Sequence, residues 1–199
     1  MFNGIKSEKA IATKSRFTRY NLTGCLNIID SQFNNAKIEV DNSSCEDALN
    51  IVNSRGNLDL VKVNNTLYDA LDVDFSELFF KNITINNSNN DCLDLSYGKY
   101  SIEYISTSEC YDKSISLGEA SSLKLAKFHN KNSKVGIAVK DSSIAWIDSI
   151  NNTNSTYCVL AYRKKQEFSG GQVFLGKSDC NIDSIQKDNQ SSIVLNNEF

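Results

Sequence analysis

The chain has 199 residues, a formal net charge of -3 and a pI near 5.2, so it offers no basic field to nucleic acid, which is not expected as a partner. Hydrophobic residues make up 40%, enough for a core, yet no run approaches the roughly 18–20 apolar residues a membrane helix needs, and no membrane insertion is expected. Proline is absent and asparagine occurs 25 times, a balance that reads as disorder unless something keeps it in register.

Residues 1–22 are polar, with a basic stretch from Lys14 to Arg19, and are expected to form an N-terminal cap. They hold no apolar run like a signal-peptide core. The sequence leaves localisation open; an envelope or extracellular place is expected if the chain is part of a larger exported protein.

From Thr23 onward a period of 22 residues takes over. TGCLNIIDSQFNNAKIEV joins with a slip of one; CEDALNIVNSRGNLDLVKV and NNTLYDALDVDFSELFFKNITI follow, and KSDCNIDSIQKDNQSSIVLN is a weaker last unit. Leu49, Leu71, Leu93, Ile115, Ile137 and Val159 form one column; Ile51, Val73, Leu95, Leu117, Val139 and Ala161 form a second. Each unit alternates short β-type pieces with Asn, Ser, Gly and Asp turns, and none has the apolar spacing of a helical repeat. The expectation is all-β: a right-handed single-stranded parallel β-helix of about seven to eight coils over residues 23–185, with 186–199 as a C-terminal cap or tail. The two columns point inward, and the residues between them point out.

The column Asn42, Asn64, Asn86, Ser108, Asn130 and Asn152 reads as a turn ladder, since asparagine tolerates left-handed backbone and its amides can bond along a stack. Asn42, Asn64 and Asn86 also begin N-x-S/T triplets, which a glycosylation reading would use. His129 has no partner pattern and reads as a packing or surface residue. Six cysteines, Cys25, Cys45, Cys92, Cys110, Cys158 and Cys180, suggest disulfides by number. However, Cys92 and Cys158 share a column three repeats apart, roughly 14 Å at about 4.8 Å per strand step, beyond the about 7 Å between Cα atoms that a disulfide spans. Only Cys158 with Cys180 is spaced to pair. The others are expected to be free thiols, filling a column of small residues with Ala48, Ala70, Ser114 and Gly136.

Chemistry concentrates on the outward side of the first strand. One column runs Asp47, Asp69, Asp91 and Lys113; the next runs Asn50, Asp72, Asp94 and Ser116. Stacked carboxylates repel, so they share a proton, hold Ca²⁺, or form an acid/base pair for work on sugars. The plainer reading is a soluble, edge-repelling surface.

The repeat as a whole resembles the pectin-lyase-like parallel β-helix superfamily, and local strings resemble its polygalacturonases. YDALDV is similar to that family's N-T-D-G-I-D segment, and NDCLDLSYG to D-D-C-I-A-I-x-S-G. DKSISLGEAS is similar to G-H-G-I-S-I-G-S, and GIAVKD to G-V-R-I-K-T. The resemblance implies catalytic roles for Asp69 and Asp91, with Asp94 as a third candidate beside them. It implies a substrate contact by Lys140; an enzyme built on these residues would also use Lys113 to orient an anionic sugar, with Asp72 and Tyr97 as further candidate substrate contacts. Asn90, Lys113 and Ala138 replace the family's Asp, His and Arg. From TGCLNI to GIAVKDSS the chain also resembles uncharacterised β-helix tails of bacterial envelope-associated or spore-coat-H-like proteins.

Three functions follow as expectations. The first is a non-catalytic module, structural or binding a polysaccharide or glycan, with Tyr68, Tyr97, Tyr104, Tyr111 and Tyr162 available to stack on sugars. The second is a polysaccharide-processing enzyme using the stacked aspartates. The third is a Ca²⁺-binding or protein-interaction scaffold. No cofactor is expected, calcium being the possible exception, and no residue stands out as a metal ligand; the oligomeric state is open.

Overall fold

The computed structural model describes residues 2–3, 17 and 22–195. The expected N-terminal cap therefore lies almost wholly outside the described residues, as do positions 196–199. The described chain is a parallel β-solenoid of about eight turns. In strand register the coils begin at residues 24, 47, 69, 91, 113, 135, 157 and 183.

Each coil passes through three sheet faces. The first face stacks Gly24–Ile29, Asp47–Val52, Asp69–Asp74 and Leu93–Ser96, then the ends of the long strands Lys99–Gly118, Ser122–Lys140 and Ile144–Tyr162. Ile185–Lys187 closes it. Gln32–Ser43, Arg55–Thr66 and Glu77–Ser88 each cross the second and third faces. A strand buries alternate residues, so two successive outward residues mark a corner; Lys81 and Asn82 form one between buried Phe80 and Ile83. The Leu49 and Ile51 columns both point inward, and every member is completely buried. Burying such a side chain contributes about 1.5–3 kcal/mol, and every rung places like beside like. Residues 185–195 continue this stacking through Ile185–Lys187 and Ser192–Leu195.

Corners are held by side chains that pair with backbone one coil away. Ser54, Ser76, Ser121 and Ser143 are buried, and each hydroxyl accepts a backbone N–H from the coil below it, at 2.9–3.1 Å. The ladder lacks its serine at Gly171, whose N–H donates to the Ser191 hydroxyl at 3.0 Å, and at Gly98. There the Tyr100 hydroxyl lies 2.8 Å from the carbonyls of both Val73 and Ser96, and a Cβ on Gly98 would stand 2.3 Å from it. A serine would collide, so the tyrosine occupies the serine's place from inside.

The asparagine column proves to be parts of three. Strand register aligns Asp41, Asn64, Asn86, Ser108 and Lys131 on the outside, where Asn86 donates to Asn64 and Ser108 to Asn86. The left-handed turn belongs to the next column, Asn42, Asn65, Asn87, Glu109, Asn132 and Asn154, with φ between 55° and 61°. Asn130 sits inside, beneath Thr107 and Ile85. Its amide is buried and satisfied by Thr107, Ser133, Asn152 and Ser155. A strict step of 22 loses the column where a coil takes one extra residue, as between Glu109 and Asn132.

The cysteines also correct expectation. All six are paired, Cys25 with Cys45, Cys92 with Cys110 and Cys158 with Cys180, with Cα separations of 5.3, 5.6 and 5.9 Å. Strand register places Cys25 in the same column as Cys92 and Cys158. Each of the three begins a first-face strand, and each partner stands at the corner where the same coil returns. Same-column stacking was the wrong geometry to consider. A coil closes on its own beginning one rung up, so residues 18 to 22 apart meet. The result is three covalent rings, in the first, fourth and seventh coils.

Candidate functional site

The first face carries the predicted residues on its outer side. Asp47, Asp69, Asp91 and Lys113 start successive strands, and Asn50, Asp72, Asp94 and Ser116 follow in the next outward column. They are poorly exposed for surface residues. Asp91 is 5% exposed and Lys140 is 4%.

Hydrogen bonds explain much of that column. Asp69 Oδ1 accepts the Asp91 backbone N–H at 2.8 Å and the Asn90 amide at 2.6 Å. One coil on, Asp91 Oδ1 accepts the Lys113 backbone N–H at 3.0 Å and its Nζ at 3.2 Å. Lys113 also bonds Asp112. Each carboxylate thus ties its own coil to the next. Burial works against the Lys113 ammonium, but Asp91 and Asp112 outweigh it and push its pKa up. Lys113 is therefore a fixed partner of Asp91.

The second column is electrostatically different. Asn50 donates to Asp72 Oδ2 at 3.1 Å, and one oxygen of Asp94 is buried with no hydrogen-bond partner. Burial, followed by repulsion from Asp74, Asp47, Asp94 and Asp69, pushes Asp72 up to about 9. Burial and Asp91 raise Asp69 to about 7; burial and Asp94 raise Asp74 to about 6. This face holds protons at neutral pH that free carboxylates would release.

The Lys140 ammonium reaches the end of the second column, one rung beyond Asp94. Its Nζ donates to Ser116 at 2.7 Å, and Gly118 makes room for the stem, since a Cβ there would lie 2.8 Å from Lys140 Cε. Tyr97 stands on the corner, 45% exposed, with its ring stacked on Phe75 at 4.8 Å. Of the seven candidates, the structure joins Asp91 to Lys113 and Asp69 to the Asp91 backbone. Asp72 and Asp94 stack in successive rungs and Lys140 bonds Ser116 in the next, whereas Tyr97 is engaged at the corner.

One arrangement escaped the sequence reading. Residues 163–171 extend the seventh coil, so that Ile144 pairs with Gln172, and they fold back along the corner. Asp141, fully buried, accepts the backbone N–H groups of Lys164 and Lys165 at 2.7 and 2.8 Å. Lys165 Nζ reaches Glu119 at 2.6 Å, and Glu119 accepts Ser96 Oγ at 2.6 Å. The signal in sequence was the longer spacing of this coil, but not where its loop would lie. Among the described residues, no group of three or more His, Cys, Asp or Glu side chains is arranged to hold a metal ion. Nor is any helix among them long and apolar enough to cross a membrane.

Fold and face together define a parallel β-solenoid whose outward polar columns are bonded from coil to coil. Comparison of the chain with protein-family models, curated proteins and solved structures gave no match.

Proposed function

We propose that this chain is a non-catalytic β-solenoid module that binds polysaccharide within an exported or envelope-associated bacterial protein, akin to the pectin-lyase-like β-helices. The observation that carries the reading is the use made of Asp69 and Asp91. Inverting hydrolysis needs one carboxyl free to protonate the leaving oxygen and one to activate water. Here Asp69 accepts the Asp91 N–H and the Asn90 amide, and Asp91 is held by Lys113. Both serve as coil-to-coil hydrogen-bond acceptors, and Asp91 is in addition paired with the Lys113 ammonium. Three disulfides support an oxidising compartment. A hydrolase reading draws on Asp69, which at about 7 is poised as an acid with its proton on Oδ2, opposite the oxygen that accepts both hydrogen bonds, but Asp91 is neutralised by Lys113 and is not free to activate water.

The test is a glycan array probed with the folded, oxidised chain. Saturable binding to at least one polysaccharide class is expected, unchanged by Asp91→Asn if that variant retains the native melting temperature. Absence of binding across neutral and acidic glycans contradicts the reading.

A further inference from the structure

Outside the acidic face, the second sheet carries Asn57, Phe79, Ser101, Lys124, Trp146 and Phe174 in consecutive rungs of one outward column. Trp146 is stacked on Phe174, with centroids 5.9 Å apart and planes 6° from parallel, so its other face turns back along the axis toward Lys124 and Ser101. Phe79 stands three rungs away, roughly 14 Å at the usual strand spacing. Between them lies a groove of about 770 Å³ floored by Ser101 and Ala126. A second hollow of about 500 Å³ runs from Trp146 to Arg55, Glu77 and Lys99. A third, of about 360 Å³, shares those three residues and ends at Phe75 and Tyr97. The hollows share lining residues and form one concavity.

The corner rings give an independent observation. Phe75 and Tyr97 both have φ of 51°, a left-handed conformation that suits Asn, Asp or Gly; the same corner uses Asp30, Asn53 and Asp141 in other coils, and Glu119 and Ala120 in the coil after Tyr97. Two aromatics are held there at a conformational cost while remaining 56% and 45% exposed. Their rings lie outside the core: Tyr97 stacks on Phe75 and meets Phe168 of the loop at 6.4 Å, while the outer face of Phe75 stays open. Strain of this kind gathers at binding sites.

Resting on the polysaccharide-binding reading, we propose that this concavity, rather than the acidic face, is the binding site, and that it takes an uncharged polysaccharide lying along the solenoid axis. Aromatic faces stack on the C–H faces of sugar rings, and Arg55, Lys99, Lys124, Glu77, Glu103 and Asp148 offer hydroxyl partners of both signs. Three positive and three negative groups, with Glu119 of the third hollow paired to Lys165, leave the lining neutral, which favours an uncharged chain over a polyanion. A β-strand peptide has no backbone to pair with here, since these strands are paired on both sides.

The test is isothermal titration with hexaoses of cellulose, xylan, mannan, chitin and β-1,3-glucan, with oligogalacturonate as the anionic probe. At least one neutral hexaose is expected to bind, and Trp146→Ala to weaken it by roughly tenfold or more. Phe75→Asn with Tyr97→Asn is expected to weaken it as well while preserving or raising the melting temperature, which separates lost binding from lost folding. Lys62→Ala on the third face should change nothing. Binding of a neutral hexaose that survives both groove variants overturns this site while leaving polysaccharide binding intact. Binding of oligogalacturonate alone overturns it too. No glycan binding overturns both readings, and a Trp146-dependent dimer in sedimentation assigns the groove to a second copy and overturns the site.

Discussion

Replacing Cys92 by alanine and Cys110 by serine is expected to lower the unfolding free energy by about 3 kcal/mol. The pair closes a loop of 18 residues, and a cross-link of that span removes conformational freedom chiefly from the unfolded chain. The choice of replacements isolates the bond from the packing. Ala48 and Ala70 occupy the Cys92 column in neighbouring coils, and Ser88 and Ser133 flank Cys110 in its own. Both are therefore residues this architecture already accommodates at those positions. Because a solenoid is stabilised rung by rung, the loss should centre on the middle coils, and amides around Leu93 and Ile115 should exchange faster. Urea titration at 25 °C, with and without reductant, measures it. A variant within about 0.5 kcal/mol of the parent, the range of neutral surface changes, would mean that the ring adds nothing beyond the stack.

Asp72→Asn is expected to stabilise the protein near pH 8 and to have little effect near pH 4. An unfolded aspartate titrates near 3.8, whereas burial and the neighbouring carboxylates raise Asp72 to about 9 in the folded chain. Between those values the folded state binds the extra proton, so stability falls as pH rises. The favourable contribution is complete below pH 3.8 and is lost by the time pH passes 9. Asp69 at about 7 and Asp74 at about 6 act in the same direction over narrower windows. Even one unit of difference between folded and unfolded pKa is about 1.4 kcal/mol, and the variant should gain at least that at pH 8. Asparagine already fills this column one rung below, at Asn50, and an amide at 72 is in ladder position to donate to the unpartnered oxygen of Asp94. Melting temperatures of parent and variant from pH 4 to 9 decide it. A variant curve that runs parallel to the parent's would show that Asp72 titrates normally.

The fold was legible because stacking forces repetition: Leu49 and Ile51 recur at a fixed step, and alternation assigns each an inward direction. What the period concealed follows from the same geometry. One extra residue at the corner around Glu119 and Ala120 moves every later second- and third-face residue by one place. A step of 22 from Phe79 therefore runs through Ser101 to Leu123, missing Lys124 and Trp146. The aromatic column appears only in the strand register. Disulfides were hidden for a related reason, since partners such as Cys92 and Cys110 meet across a corner and never within a column. The acidic candidates on the first face were correctly placed on one face, but a sequence shows that Asp69 and Asp91 are stacked without showing that their oxygens are bonded to the backbone above.

The central claim, that this solenoid holds a polysaccharide without cutting it, is tested most directly by incubating the chain with each hexaose and with oligogalacturonate at pH 5 and pH 8. The bound fraction and the length distribution of the recovered sugar are read by mass spectrometry. A bound sugar recovered at full length at both pH values is expected. Shortened products that disappear with Asp69→Asn or Asp91→Asn would contradict it and return the first face to catalysis.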